Sequence, residues 1–230
     1  MTLPPPPRQM AFDLPARETF RREDFFASPA NAAAVAALAG WRDWPGGKVV
    51  LVGPSGSGKT HLAHLWAAET GAGICAAAGL AGADLPALAE TRAMVVEDAE
   101  AIAGQPEAET ALFHLHNLLA AEGRLLVTAD APPRDWGLRL PDLLSRMQAA
   151  PLTRLDPPDD ALLAAVLVKL FADRQIAVPP NLIPFLLGRM ERSIAAARAL
   201  VALLDARALA LGRPVTRALA AEVLDSSAPQ

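Results

Sequence analysis

The stretch KVVLVGPSGSGKTHL, residues 48–62, limits what this chain can fold into more than any other. A short apolar, β-branched run, 48–52, passes directly into Gly53-Pro54-Ser55-Gly56-Ser57-Gly58-Lys59-Thr60, which satisfies the spacing G-x-x-x-x-G-K-[ST] in full. A strand feeding a glycine-rich turn is the context that spacing requires. The glycines let backbone N–H groups curl round an anion, Lys59 reaches the outer phosphates of a nucleotide, and Thr60 offers a hydroxyl to Mg²⁺. From His61 onward, 61–70 reads as a helix whose positive N-terminal dipole faces the same anion. The competing reading is a plain Gly/Ser turn. With 15 glycines and only three lysines in 230 residues, the fixed positions coincide by chance on the order of once in a thousand such chains.

Length and composition narrow the rest. At 230 residues the chain suits one α/β domain with an appendage, or two small domains. The one cysteine, Cys75, excludes an internal disulfide and leaves no pair for a structural zinc site, so a reducing cytoplasm is expected. A net charge of -4 is a poor footprint for autonomous duplex binding, which needs a clustered basic surface. No segment is long and apolar enough to cross a bilayer, and the N-terminus MTLPPPPRQM has no apolar signal core. A soluble, unexported protein is the expectation.

Residues 1–20 open on four consecutive prolines, which favour an extended chain outside any packed core. Gln9-Met10-Ala11-Phe12-Asp13-Leu14 follows, a glutamine leading alternating apolar residues. It reads equally as a short docking motif for a partner's apolar groove or as an incidental tail. An alanine-rich helix over about 30–39 precedes the first strand. Beyond the phosphate loop, 73–78 is a candidate strand, 85–90 a short helix, and 92–96 a clear strand ending in Glu97-Asp98. Carboxylates at such a strand end suit a Mg²⁺-nucleotide site, one holding the metal's water shell and one orienting an attacking water. A helix over 107–122 carries Leu112, Leu115, Leu118 and Leu119 on one face, with His114 and His116 too badly placed to act as a metal pair. A strand over 124–127 leads to Thr128, whose hydroxyl can reach a terminal phosphate or the attacking water.

A helix over 138–147 carries Arg139 and Arg146, and 152–155 gives one more short strand. Strands alternating with helices imply a parallel sheet covered on both faces, with ligands beyond the strands' carboxyl ends. At Asp156-Pro157-Pro158-Asp159 the composition changes. Beyond it, 160–174, 180–189, 193–211 and 216–224 have helical apolar spacing and no strand intervenes. The expected domains are a tail at 1–20, an α/β nucleotide-binding domain at 21–156 and a small C-terminal helical lid domain at 157–230. Arg192, at the start of the third lid helix, can face the nucleotide or sit as an ordinary solvated charge.

This order of phosphate loop, acidic strand end, polar strand tip and helical lid resembles the AAA+ P-loop ATPases. Ala111-Leu112-Phe113-His114-Leu115-His116-Asn117, Thr128-Ala129-Asp130-Ala131-Pro132-Pro133 and Leu140-Pro141-Asp142-Leu143-Leu144-Ser145-Arg146 look like the ATPase domain of the DnaA replication initiators. The resemblance covers about 20–226. A DnaA-like ATPase module without the C-terminal DNA-reading domain, and with a Gln-led tail, is similar to the Hda family of DnaA-related proteins, which act in regulatory inactivation of DnaA.

The resemblance implies a role for each motif. Residues Gly53, Pro54, Ser55, Gly56, Ser57, Gly58, Lys59, Thr60 and His61 form the Walker A site for ADP or ATP with Mg²⁺, with Thr60 and Glu97 reaching the metal through water. Glu97 and Asp98 form the Walker B end and Thr128 the sensor 1 position. Arg146 stands at the arginine-finger position and Arg192 at sensor 2. Gln9, Met10, Phe12 and Leu14 match the family's Q-L-x-L-x-L motif for the DNA polymerase sliding clamp, with Met and Phe replacing two leucines. The Walker B end has Glu-Asp where Asp-Glu or Asp-Asp is usual, which points to weak intrinsic ATPase activity at most. The implied partners are DnaA and the clamp, with possible self-association and neither sequence-specific DNA binding nor a membrane. A helicase-loader-type ATPase and a non-catalytic, nucleotide-dependent adaptor are the alternatives.

Overall fold

The computed structural model describes residues 26, 28–120 and 122–226. The docking motif expected at Gln9, Met10, Phe12 and Leu14 lies outside these residues. The elements run α1 (Ala32–Ala39), β1 (Lys48–Val52), α2 (Lys59–Thr70), β2 (Gly73–Ala76), α3 (Leu85–Ala89), β3 (Ala93–Glu97), α4 (Pro106–Leu118), β4 (Arg124–Ala129), α5 (Pro141–Ala149) and β5 (Leu152–Arg154). Four helices follow: α6 (Asp160–Asp173), α7 (Leu182–Leu187), α8 (Ile194–Leu211) and α9 (Arg217–Ser226).

The five strands form one sheet in the order β2-β3-β4-β1-β5, and every neighbouring pair is parallel. All residues of β1 are buried, as a strand covered on both faces requires. Alternation divides the sheet residues between two cores. Val50, Val52, Met94, Val96, Leu125 and Val127 share one with Leu112 and Leu115 of α4 and Leu143 and Met147 of α5. Val49, Leu51, Val95 and Leu126 share the other with Leu38 of α1 and Trp66 of α2.

The helices beyond 156 have a core of their own, built on Leu167, Phe171, Leu186, Val201, Leu204 and Leu219. Phe171 is fully buried there, and burial of that side chain stabilises the lid by about 2 kcal/mol. Asp159 caps α6, its carboxylate accepting the Leu162 N–H at 2.7 Å. Among the described residues no helix is long and apolar enough to cross a membrane.

Two elements differ from the sequence reading by more than two residues at an end, each for a local reason. The helix expected to reach 122 ends at Leu118; the buried Lys48 ammonium takes the Leu119 carbonyl at 2.8 Å, and the chain turns through Gly123 into β4. The helix expected from 138 starts at Pro141. Proline fits the first helical position and pushes the residue before it out of the helical region, and Leu140 is extended at φ -82, ψ 106.

Candidate functional site at the carboxyl edge of the sheet

The loop between β1 and α2 is shaped by two left-handed glycines, Gly56 at φ 73 and Gly58 at φ 106, the second forming the N-cap of α2. The turn aims the first N–H groups of α2 back across the loop, which is the geometry that holds a phosphate. Lys59 folds into the same turn with 7% of its surface exposed. Its ammonium donates to the Gly53 carbonyl at 2.8 Å, the Pro54 carbonyl at 3.2 Å and the Asp130 carboxylate at 2.6 Å. Thr60 stands exposed at the first turn of α2. Ser57 is buried, and its hydroxyl has no hydrogen-bond partner among the described residues.

The tips of β3 and β4 are laced together beside this loop. Asp98 adopts a left-handed backbone, φ 55, and its N–H donates to the Thr128 hydroxyl at 3.2 Å. One step further, the Asp130 N–H donates to the Glu100 carboxylate at 2.8 Å. Thr128 is 1% exposed, so its hydroxyl braces the unusual turn at Asp98, and Asp130 is the strand-tip residue that touches Lys59. Asp98 itself is exposed. Glu97 faces α2, one carboxylate oxygen 3.7 Å from His64 Nε2, one helical turn beyond Thr60. The charge is felt across the sheet: the Cys75 thiol is pushed up, first by burial and then by Glu97.

These residues fit a hydrated divalent cation beside nucleotide phosphates. Glu97 Oε1 and Glu100 Oε2 are buried acceptors with no partner among the described residues, and an orphaned acceptor costs about 1–3 kcal/mol until a donor reaches it. Among the described residues no group of three or more His, Cys, Asp or Glu side chains is arranged to hold a metal by itself. Thr60, Glu97 and Glu100 would hold such a cation through its water shell, the remaining ligands coming from water and phosphate as at Mg²⁺-nucleotide sites.

The lid meets the loop directly. The Ile194 N–H, at the start of α8, donates to the Gly56 carbonyl at 2.8 Å. A Cβ on Gly56 would lie 2.6 Å from Ser193 Cβ, and one on Gly58 would lie 3.1 Å from Ile194 Cδ1. Ser193 caps α8, its hydroxyl accepting the Ala196 N–H at 2.9 Å. The two glycines thus serve twice, allowing the turn and admitting the lid.

Of the expected site residues, 53–61, Glu97, Asp98 and Thr128 come together at one edge. Arg192 is exposed and ion-paired with Asp160 inside the lid, while its neighbours Ser193 and Ile194 make the loop contact. Arg146 has no described contact with the loop: it is exposed on α5 between the buried Leu143 and Met147, with no hydrogen bond or ion pair to another described residue. Asp130, Glu100 and Ser193 were not singled out from sequence. Register held the signal for Asp130: Val52 pairs with Ala129, the last residue of β4, which brings the residue that follows it beside Gly53, the first residue of the loop.

No protein-family model matches the chain. Solved structures do. Domain III of the Thermotoga maritima replication initiation protein DnaA superposes with a TM-score of 0.76 at 21% identity, over 90% of this chain and 95% of that one. AMPPCP-bound DnaA from Aquifex aeolicus gives 0.64 at 18% identity, over 80% of this chain and 64% of that one. A Thermotoga maritima RuvB gives 0.64 at 17% identity, over 86% of this chain and 66% of that one. The chain thus spans a little under two thirds of the Aquifex initiator. A phosphate loop at the carboxyl edge of a parallel sheet ordered β2-β3-β4-β1-β5, superposing on these proteins, is a DnaA-like α/β AAA+ fold.

Proposed function

We propose that this chain is a nucleotide-bound negative regulator of replication initiation. In this reading residues 53–61 hold ADP or ATP with Mg²⁺, and 9–14 tether the chain to a DNA-loaded sliding clamp. Arg146 enters the catalytic centre of an adjoining DnaA-ATP. The observation that carries it is the placing of Arg146: exposed on a helix anchored by Leu143 and Met147, and not spent on any described carboxylate. An arginine supplied in trans neutralises charge on a transferring phosphoryl group, worth about 10³–10⁵ in rate in other nucleotide hydrolases. Such a guanidinium has to be available to a neighbour, and the exposure of Arg146 and its lack of a described carboxylate partner support that reading.

The chain's own residues do the rest. Lys59 exchanges its Asp130 contact for the outer phosphates, Thr60 and Glu97 orient the water shell of Mg²⁺, and Ser193 with Ile194 senses the loop from the lid. Bound nucleotide supplies the negative charge that sets this arrangement. Tethering raises local concentration without any new contact, so a clamp motif with Met10 and Phe12 in place of leucines suffices. The test is DnaA-ATP turnover on clamp-loaded DNA. Wild-type protein accelerates it, and Arg146→Ala abolishes the acceleration while leaving ADP affinity within about twofold. Full stimulation by that variant contradicts the reading.

A second reading draws on the direct bond between Ile194 and Gly56, through which loop geometry reaches the lid. On that reading the chain is a non-catalytic adaptor whose nucleotide fixes the lid angle. Clamp binding without any effect on DnaA turnover favours it, and capture of a replicative helicase in place of the clamp favours a loader.

A further inference from the structure

Glu109, on α4, is 1% exposed, and its carboxylate is fully engaged by backbone donors. Oε1 accepts the Gly104 N–H at 2.8 Å, and Oε2 accepts those of Arg139 at 2.9 Å and Leu140 at 2.7 Å. Gly104 precedes Gln105, the N-cap of α4, and Leu140 is the N-cap of α5 with no side chain able to accept a hydrogen bond. In a capping box a glutamate reaches back to the N-cap N–H of its own helix. Glu109 makes that contact from one helix to the next, so a single buried carboxylate ties together the starts of α4 and α5.

Six residues past that N-cap, α5 carries Arg146 outward between Leu143 and Met147, which are 0% and 1% exposed. The two apolar anchors fix how α5 lies on the core. At its start Leu138 and Leu140 pack against the same core, and the bonds at 139 and 140 hold the backbone there by direct contact with Glu109. Resting on the role proposed above for Arg146, we infer that Glu109 is its positioning residue: it locks the N-terminus of α5 so that the guanidinium is delivered at a fixed place. Glutamine at this position keeps the shape but offers one acceptor oxygen. Either the Gly104 side or the Arg139–Leu140 side then faces an amide NH₂, donor against donor. A displacement of about 1 Å at a reacting centre costs about 10²-fold in rate.

The experiment measures DnaA-ATP hydrolysis against concentration of this protein on clamp-loaded DNA, with ADP affinity measured alongside. Glu109→Gln is expected to lower the maximal stimulated rate by at least about tenfold, with half-saturating concentration and ADP affinity within about twofold of wild type. A change confined to half-saturation assigns Glu109 to docking alone and overturns the inference. So does a wild-type maximal rate for Glu109→Gln beside an inactive Arg146→Ala. Should Glu109→Gln fail to hold ADP, Glu109→Asp, which keeps the charge and withdraws it by one methylene, takes its place under the same criteria. Full stimulation by Arg146→Ala removes the reading beneath, and the inference with it.

Discussion

The ammonium of Lys59 sits 2.6 Å from the carboxylate of Asp130, joining the phosphate loop to the tip of β4 through a lysine that is 7% exposed. An anion entering the loop has to take Lys59 from Asp130. The carboxylate is 51% exposed and can relax into solvent once displaced, so the contact is a competitor and not a barrier.

Asp130→Asn is expected to tighten ADP binding. Neutralising the residue removes both the competing ion pair and a negative charge beside the phosphates, and a hydrogen bond to a charged group is worth about 1.5–3 kcal/mol. Part of that is lost to solvent screening, leaving roughly a tenfold gain in affinity. Calorimetric titration of ADP without Mg²⁺ measures it.

Glu97→Gln is expected to leave Mg²⁺-free ADP binding nearly unchanged while erasing the enhancement that Mg²⁺ gives the wild type. The Glu97 carboxylate has an orphaned Oε1 and, in the proposed site, would hold a water of the cation's shell; an amide in its place carries no charge to do so. Titrating ADP with and without Mg²⁺ in both proteins separates the two contributions.

Gly56→Ala is expected to cost about 1–3 kcal/mol, from a left-handed φ of 73 and a Cβ driven to 2.6 Å of Ser193 Cβ. Ser193→Gly in the same chain removes the struck atoms and should recover the steric part while leaving the backbone part. Thermal unfolding of the four members of this cycle reports the coupling. Strict additivity would mean that the lid does not rest on the loop.

Lys48 predicts a pH effect far from the site. Burial, and secondarily the Arg124 charge, lowers its pKa from 10.5 to about 8 in the folded protein. Below about 8 both folded and unfolded chains hold the proton and the cost is constant; between there and 10.5 the unfolded chain binds more protons, so stability rises with pH. The rise is about 3 kcal/mol for a shift of this size. Lys48→Met should flatten it, and urea unfolding at pH 7.5 and 10 in both proteins gives the comparison. With no tyrosine in the chain, few other groups titrate there.

The sheet was readable because its signals are local: short apolar runs such as 48–52, 93–97 and 124–129, each closed by glycine, acid or a polar tip, with apolar helical spacing between. The phosphate loop was readable because its chemistry tolerates few residue types at fixed spacing. Thr128 and Asp130 show where such reading stops. Both stand at the same strand tip and both have polar side chains, yet one turns inward to brace Asp98 and the other reaches Lys59. That division depends on the register between β1 and β4, a non-local quantity. Glu109 is harder still, since a glutamate four residues into a helix looks like any favourable dipole partner until α5 is seen packed beside it. Ser193 reads only as the first residue of a helix; it caps that helix, and its contact with Gly56 appears only when lid and sheet are placed together.

The most direct test of the account is a crossover between two variants in one assay, with DnaA preloaded with labelled ATP on clamp-loaded DNA. Lys59→Ala should lose this chain's own nucleotide, whereas Arg146→Ala should retain ADP with near wild-type affinity and yet fail to accelerate conversion of DnaA-bound ATP to ADP. An Arg146→Ala protein that drives the conversion as fast as wild type would contradict the claim that this guanidinium serves a neighbouring catalytic centre.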